Sequence, residues 1–306
     1  MDKNKLYDPL HGCIVDESEY AIGEDTDGHT ATAKQLHDVV LSIILEFDRV
    51  CRKNNIPYAL GFGSALGLHN YQGFIPWDDD ADIVVMYEDL TRLVTALKSD
   101  LGPNFSFDAY ENDRRYNVLI PTMKVRRVDT FIREKNYISL PDKCNKEAGI
   151  FIDICVFMGV PENLKEHQRL LRYAKTRMPL YVLLDGWLRL PMYGLKKKLK
   201  RFEQKTAEKY KASPVVSQTV IIPWQDWNRV VSLNAFPREV ILPFKEYTFE
   251  GYPIFSFHDV EKFASLRYGQ RALRKWDGKK WVDPFPAARR KVGHIEAFNL
   301  NHSVKK

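Results

Sequence analysis

The stretch that decides the fold is GFIPWDDDADIVV, residues 73–85. Four carboxylates fall between Asp78 and Asp82, and the apolar, β-branched run Ile83–Val85 follows at once. Ionised carboxylates beside an apolar core repel one another and lose hydration, so a cluster of this kind requires cations. The pattern therefore predicts a divalent metal ion and favours phosphate chemistry.

The acids are spaced so that some of them share one face of a strand. Asp80 and Asp82 are two residues apart at the start of a predicted strand, so both side chains point to the same side. Asp153 is a lone acid in an otherwise apolar run, and burying it without a partner would cost several kcal/mol. A place beside Asp80 and Asp82 would make Asp153 the third metal ligand, and a buried salt bridge to Arg or Lys is the alternative. For Asp78 and Asp79, roles in a turn or a helix cap are the alternative.

The composition indicates a soluble globular protein. The chain has 306 residues, 44% of them hydrophobic and 28% charged, which allows one large domain or two small ones. No apolar run approaches the roughly 20 residues of a membrane span, and the first residues lack the apolar core of a signal peptide. The cysteines lie far apart, without a C-x-x-C pair, which argues against a zinc ribbon or a disulfide framework. We therefore expect a cytoplasmic location.

The positive charge is concentrated in one segment. The net charge is +6, and residues 189–211 hold nine basic residues and two acidic ones. The segment Lys196–Lys211 therefore predicts a peripheral contact with an anionic membrane or with a negatively charged glycan, with a solvated helix face as the alternative. A nucleic-acid partner is not expected, because basic residues are not interleaved through the core.

The periodicity along the chain indicates three parts. Residues 1–30 are polar and lack a period, which predicts a loosely packed arm. Residues 31–160 read as an α/β core with a helix from Leu36 to Cys51, and residues 161–306 as a helical, aromatic-rich portion.

Within the core, short strands carry the acids. Strands are predicted near residues 58–62, 81–86, 105–108 and 118–125. Residues 150–157 are apolar on both faces, which is typical of a central strand covered on both sides.

Groups for binding phosphate lie near the acids in the sequence. Gly63 and Ser64 follow the first core strand at the start of a short helix, where backbone N–H groups favour an anion. Lys124 and Arg127 lie on or just past a strand between the two acid strands and are candidates to hold donor phosphates. Exposed charge at a strand edge is the alternative for both.

The order of these features resembles the nucleotidyltransferase fold of the polymerase β type. The local sequence is more specific, because GSALG at 63–67 and GFIPWDDDADI at 73–83 are similar to the signature of the LicD family. That family includes bacterial phosphocholine transferases and shares its motif with fukutin-type transferases. The similarity covers about residues 35–160, with a weaker echo in Tyr268-Gly269.

The resemblance implies a fold, a reaction and a set of residues. The fold is α/β (α+β), a polymerase β-type core with a mixed sheet plus a largely helical C-terminal portion, which would complete the acceptor cleft. The reaction moves a phospho-substituted group, phosphocholine or similar, from a CDP-linked donor to a hydroxyl of a cell-surface glycan or glycolipid precursor, as in lipopolysaccharide or teichoic acid modification. The cofactor is Mg²⁺ or Mn²⁺. Asp78, Asp80 and Asp82 match the alternate acids of the family, and Asp153 matches the third carboxylate of the wider fold.

One departure and two alternatives accompany this resemblance. Family members commonly carry a basic stretch where this chain has Asn70, Tyr71 and Gln72, which leaves the head group and the acceptor open. A nucleotidyltransferase that attaches NMP to a small molecule, protein or RNA would use the same acids. An inactive nucleotide- or glycan-binding module is the second alternative, and it would bind without a metal.

Overall fold

The computed structural model describes residues 5–8, 13–16, 20–116, 118, 123–134, 149–188, 190–218, 235–276, 281–284 and 295–301. The α-helices are α1 Ala33–Lys53, α2 Phe62–Tyr71, α3 Leu90–Asp100, α4 Leu164–Lys175, α5 Met178–Tyr181, α6 Tyr193–Lys209, α7 Arg238–Ile241 and α8 Val260–Tyr268. Short 3₁₀ turns span Tyr87–Asp89 and Gln270–Ala272, and a π-helical segment spans Val182–Trp187.

The strands come from the whole length of the chain. They are β1 Lys5–Asp8, β2 Cys13–Asp16, β3 Ala21–Glu24, β4 Thr30–Thr32, β5 Tyr58–Leu60, β6 Asp82–Met86, β7 Phe105–Ala109, β8 Met123–Arg127, β9 Phe131–Glu134, β10 Phe151–Gly159, β11 Val215–Gln218, β12 Ala235–Pro237, β13 Lys245–Phe249, β14 Tyr252–Ser256, β15 Lys275–Trp276, β16 Trp281–Val282 and β17 Ile295–Asn299.

One mixed sheet forms the centre of the fold. Its strand order is β12-β11-β10-β6-β5-β14-β13, with β8 also paired to β10 and β7 paired to β8. β10 runs parallel to β6, and β14 runs parallel to β5, whereas the other pairs in this sheet are antiparallel. The predicted α/β class with a mixed sheet is confirmed.

Strand β10 lies in the middle of this sheet because its residues are apolar on both faces. Ile152, Ile154 and Val156 point to one side and are fully buried. Phe157 points to the other side, where its ring stacks 5.9 Å from that of Phe257. The β8 strand pairs with the first half of β10 and β11 with its end, so β6 has the opposite edge to itself.

Helix α1 covers the face of the sheet that is turned away from the acids. Thr32 caps it in a capping box with Gln35. Leu36, Ile43 and Phe47 are fully buried on its inner side, as the three- and four-residue spacing predicts. None of the helices among the described residues is both long enough and apolar enough to cross a lipid bilayer.

The two ends of the chain are more ordered into strands than the sequence indicates. Within residues 1–30, β1 pairs with β2, and β3 pairs with β4. The predicted helical C-terminal portion corresponds to residues 164–209, whereas β11 to β14 extend the central sheet at both edges. Short strands that follow Pro and aromatic residues, such as β13 Lys245–Phe249, carry little periodicity that could have revealed them.

Candidate active site

Four adjacent strands each place one polar side chain in the same row. Asp82 on β6 is in register with Asp153 on β10, Asp153 with Lys124 on β8, and Lys124 with Asp108 on β7. Residues that are directly opposite one another on paired strands share a face of the sheet. Two of the sequence-predicted acids, about seventy residues apart in the chain, are therefore direct neighbours.

The remaining acids lie on the loop that leads into β6. One carboxylate oxygen from each of Asp78, Asp79 and Asp80 lies within 4.8 Å of the others. The loop is fixed from two sides: His37 Nε2 donates to the Asp78 carbonyl at 2.8 Å, and the N–H of Ile295 donates to Asp79 Oδ2 at 3.1 Å. Asp79 thus lies beside Asp78 and Asp80 and is bound by the backbone of Ile295.

Strand β6 begins at Asp82. Asp80 therefore lies before the strand, although the predicted same-face pair of Asp80 and Asp82 assumed that both residues belong to it. The carbonyl of Ala81 nevertheless accepts the N–H of Asp153 at 2.8 Å, so the chain is already aligned with β10 before β6 begins. The charge of Asp80 also raises the pKa of the Asp82 carboxyl group, so the two carboxylates lie close together.

Asp82 is in an unfavourable electrostatic position. Burial raises the pKa of its carboxyl group well above the ordinary value, and the negative charges of three neighbours raise it further: Asp80, Asp153 and Asp78. The backbone N–H of Gly63 donates to the Asp82 carboxylate and opposes this shift. The site therefore concentrates negative charge where solvent does not screen it well.

The start of helix α2 is packed directly against the acids. A Cβ atom on Gly63 would lie 3.2 Å from Asp78 Oδ2 and 4.0 Å from Asp82 Oδ2, so only a glycine leaves this space open. Ser64 Oγ accepts the backbone N–H of Asp82 at 2.9 Å and thereby fixes the start of β6. Phe62, just before Gly63, has a φ angle of +40°, a strained conformation of the kind that occurs at functional sites.

Lys124 supplies a cation to the row of acids. Its ammonium nitrogen lies 2.8 Å from Asp153 Oδ1 and 3.2 Å from the centroid of the Phe151 ring. The side chain of Lys124 is almost completely buried. The salt bridge that was the alternative for Asp153 is thus present. Asp153 also lies beside Asp82, as the metal-ligand prediction requires, and the metal role itself stays a prediction.

The structure does not bring Arg127 to the acids. Arg127 lies on the opposite face of β8, where it pairs with Asp129 and its Nη1 lies 3.5 Å from Ser42 Oγ on α1. Arg126 shares the face of Lys124, because side chains alternate along a strand. Its Nε lies 2.6 Å from Asp108 Oδ2, and its Nη1 donates to the Gly149 carbonyl at 3.0 Å.

Sequence reasoning missed Arg126 and Asp108. The signal that could have found Arg126 is the two-residue spacing from Lys124, which puts these two cations, and not Lys124 and Arg127, on one face. Because Arg126 is only 2% exposed and is held by Asp108, it stabilises the row of charges and is not open to a ligand.

Tyr268 at the end of α8 lies within electrostatic range of the site. Burial of its hydroxyl raises the pKa of this phenol, and the charge of Asp82 raises it further. The Arg267 guanidinium lies 5.7 Å from the centroid of the Phe62 ring, which connects the end of α8 to the start of α2. The weak sequence echo at Tyr268-Gly269 therefore corresponds to a position near the acids.

The residues that replace the expected basic stretch lie at the far end of α2. Between Gly63 and Asn70 the helix rises about 10 Å. Asn70 is fully buried, and its side chain donates to the Ala272 carbonyl and accepts the N–H of Arg274. Tyr71 donates to Asp283 Oδ2 at 2.6 Å. Asn70 and Tyr71 thus attach the C-terminal segment to α2.

The basic segment Lys196–Lys211 is only partly available for the predicted surface contact. Lys196 is fully buried, 3.3 Å from Asp185 Oδ1, and donates to the carbonyls of Arg115 and Tyr116. Lys200 forms ion pairs with Glu111 and Glu203. Those two lysines are interior because α6 packs its apolar side and these cations against the body of the protein, so the prediction must be restricted to the remaining basic residues.

The described residues fit a divalent cation. Three loop carboxylates and the pair Asp82 and Asp153 supply the oxygen ligands that Mg²⁺ and Mn²⁺ prefer. Burial and the charges of Asp80, Asp153 and Asp78 raise the pKa of Asp82, and a bound cation would stabilise the ionised carboxylate against these effects. The open space beside Gly63 provides room next to Asp78 and Asp82.

Comparison with known proteins supports the family resemblance of the segment that carries the acids. Residues 55–137 match the family model described as LicD/FKTN/FKRP, nucleotidyltransferase domain. This segment belongs to the LicD family. The LicD segment contains Gly63, the acids from Asp78 to Asp82 and Lys124, and it ends before Asp153, which the sheet adds to the site.

Curated relatives match parts of the chain. The lipopolysaccharide cholinephosphotransferase LicD of Haemophilus influenzae is 25% identical over 154 residues, 48% of this chain and 55% of that protein. An uncharacterized protein of Rickettsia prowazekii is 40% identical over 88 residues, 28% of this chain and 30% of its own length. One from Rickettsia typhi is 54% identical over 37 residues, 12% of either chain. The chain thus spans about half the length, or less, of the relatives that it matches.

Proposed function

We propose that this protein is a metal-dependent transferase that moves a phospho-substituted group, phosphocholine or similar, from a CDP-linked donor to a hydroxyl of a glycan or glycolipid acceptor. The observation that supports this most directly is the register of Asp82 with Asp153 beside the LicD acid motif. The similarity to a lipopolysaccharide cholinephosphotransferase supports the substrate class.

In this proposal, Asp80, Asp82 and Asp153 hold Mg²⁺ or Mn²⁺, together with Asp78. When bound, the metal neutralises the charge of the donor diphosphate and of the leaving phosphate. Gly63 leaves room for the diphosphate to approach the positive end of the α2 helix dipole. Lys124 contacts a donor phosphate from the other side of Asp153.

The transfer step balances as a single substitution at phosphorus. The acceptor hydroxyl oxygen forms a bond to the phosphorus that carries the head group, and the bond from that phosphorus to the CMP oxygen breaks. CMP leaves with the electron pair of the broken bond. Asp153 accepts the hydroxyl proton, and Lys124, which is 2.8 Å from Asp153, holds this carboxylate in place.

The experiment is a screen of CDP-linked donors with Mg²⁺, in which CMP release is followed by mass spectrometry. We expect release that depends on the metal and that falls more than tenfold, about 1.4 kcal/mol or more in barrier, in Asp82→Asn and in Asp153→Asn. Retention of more than about a tenth of the wild-type rate by either variant would contradict the model in which these acids act together.

The same experiment separates the alternatives. Release of pyrophosphate from a nucleoside triphosphate, with NMP attached to an acceptor, would indicate a nucleotidyltransferase. Titration calorimetry with CDP tests the inactive module, because binding that is equally tight with and without Mg²⁺ would favour a binding role. Binding that requires Mg²⁺ supports the transferase.

A further inference from the structure

Five large apolar side chains are exposed along the connection between α5 and α6. Leu180, Leu183, Leu188, Leu190 and Tyr193 are between 44% and 57% exposed. All five fall between Leu180 and Tyr193, and here the N–H of Leu188 donates to the Leu183 carbonyl and that of Leu190 to the Leu184 carbonyl, so the turns of the chain are stacked closely. We call these five exposed side chains the leucine cluster.

The leucine cluster is held rigidly on the body of the protein. Tyr181 lies beside it in the sequence and is fully buried. Asp185, within the same segment, forms an ion pair with the fully buried Lys196 of α6. Lys196 also donates to the Arg115 and Tyr116 carbonyls at 2.8 Å. Because buried anchors alternate with exposed leucines, the outward orientation of the leucines follows from the fold and not from a frayed loop.

A basic stripe continues from the leucine cluster along α6. Tyr193, Lys197 and Arg201 are exposed and four residues apart, so they lie on one face of the helix, and Lys198 is exposed beside them. Glu203 is the one acid between residues 190 and 207, all of which the structure describes, and it is buried in an ion pair with Lys200. The exposed charged residues of α6 from Tyr193 to Ala207 are therefore all positive.

We infer that this surface docks onto an anionic lipid bilayer, with the leucine cluster in the acyl boundary and the basic stripe against the headgroups. Apolar side chains flanked by exposed Lys and Arg are the two elements that give stable binding at the surface of a membrane. This uses four residues of the basic segment that remain exposed, Lys197, Lys198, Arg201 and Lys205, together with apolar residues that precede it in the chain. Lys209 is excluded because it pairs with Glu166.

Charge complementarity favours a membrane over a second copy of the chain as the occupant. A second copy of the chain would bring the same positive stripe against itself in a symmetric contact. An anionic bilayer provides both an apolar interior and a negative surface. The inference does not depend on the proposed chemistry, because binding is measured without donor or acceptor.

The experiment is flotation of the full chain with vesicles of phosphatidylcholine alone or of phosphatidylcholine mixed equally with phosphatidylglycerol. We expect binding to the anionic vesicles that weakens as salt is added. The double variant Leu183→Glu/Leu188→Glu and the triple variant Lys197→Gln/Lys198→Gln/Arg201→Gln should each bind about tenfold or more weakly. All five positions are exposed, so the variants should keep the wild-type melting temperature.

Matched controls come from α8, where Leu266 and Lys262 are also exposed. Leu266→Glu and Lys262→Gln should bind anionic vesicles as the wild type does. Failure of the wild type to bind anionic vesicles, or wild-type binding by both surface variants, would overturn the inference. A dimer seen by light scattering that Leu183→Glu/Leu188→Glu dissociates, without vesicle binding, would also overturn it. Release of CMP from a soluble donor should persist in the surface variants, which separates this test from that of the transferase.

Discussion

Replacing Asp82 by Asn should stabilise the metal-free protein while it removes the metal site. Asp82 is buried among like charges, and the strain of that arrangement is what a bound cation would relieve. Asn keeps the size of the side chain and an oxygen that can accept the Gly63 N–H, but it carries no charge. Loss of function and gain of stability are therefore expected from the same substitution.

The magnitude follows from the position of Gly63. Asp78 Oδ2 and Asp82 Oδ2 lie 3.2 Å and 4.0 Å from the same point, the Cβ site of Gly63, so these oxygens are at most about 7 Å apart. At an effective dielectric constant of about 20, two unit charges at that distance repel by about 2.4 kcal/mol. The weaker hydrogen bond from Gly63 to a neutral oxygen offsets about 1 kcal/mol of this gain. We expect a net stabilisation of about 1–2 kcal/mol.

The assay is chemical and thermal unfolding in EDTA and in Mg²⁺. In EDTA, Asp82→Asn should melt about 2–4 °C above the wild type. In Mg²⁺, the wild type should gain stability by mass action and the variant should gain little.

Asp108→Asn is the matched control, because Asp108 is in the same row of the sheet. Its carboxylate neutralises the buried Arg126 at 2.6 Å, so its loss should destabilise by about 3 kcal/mol, the opposite sign. The reasoning is refuted if Asp82→Asn lowers the free energy of unfolding in EDTA by 1 kcal/mol or more. An Mg²⁺ response of Asp82→Asn equal to that of the wild type would refute the metal assignment of Asp82.

Two other substitutions test the site and the core. Gly63→Ala places a methyl group 3.2 Å from Asp78 Oδ2 in a helix that Ala favours by about 1 kcal/mol, so the melting temperature should hold while CMP release falls about tenfold or more. Gly194→Ala is the control, because its Cβ would meet no atom within 4 Å. Equal effects of the two substitutions on CMP release would contradict a role of the open space at Gly63 in donor binding. Burial lowers the pKa of His167 from 6.5 to about 4, so the unfolded state binds a proton more tightly than the folded state. The contribution of His167 to the free energy of unfolding is therefore complete above about pH 6.5 and falls by about 2 kcal/mol by pH 5. Urea unfolding should show that His167→Leu loses about 2 kcal/mol less between pH 7.5 and pH 5, and an unchanged pH dependence would contradict this origin.

The central strand and the position of its acid could be predicted from the sequence, because the residues of that strand restrict their own surroundings. The run Phe151–Phe157 is apolar on both faces, and it is the central strand β10. The lone Asp153 in that run required a partner, and the register of β10 with β6 places it beside Asp82. A buried charge in an apolar strand is a strong constraint because very few arrangements can satisfy it.

Contacts between distant segments were outside the reach of the sequence. The charge count of the basic segment treats all its lysines alike, whereas Lys196 is buried against Asp185 and Lys200 against Glu203. Which face of a helix is buried depends on what packs on it, and the carbonyls that bind Lys196 come from residues 114–116, some eighty positions away. For the same reason the leucine cluster could not be recognised as exposed.

The acid motif can be recognised in the sequence, whereas the groups that offset its charge come from distant parts of the chain. Asp78, Asp80 and Asp82 stand together in the chain, so they are conspicuous as a motif. The groups that make this crowding tolerable come from elsewhere: Gly63 donates an N–H from the start of α2, and Lys124 reaches Asp153 from β8. None of these contacts uses the acidic loop itself, so the sheet and α2 hold Asp82 and Asp153 independently of the loop. In the proposed transferase, a metal ion would meet these two acids already in place, which is the preorganisation that phosphoryl transfer by positioning and electrostatics requires.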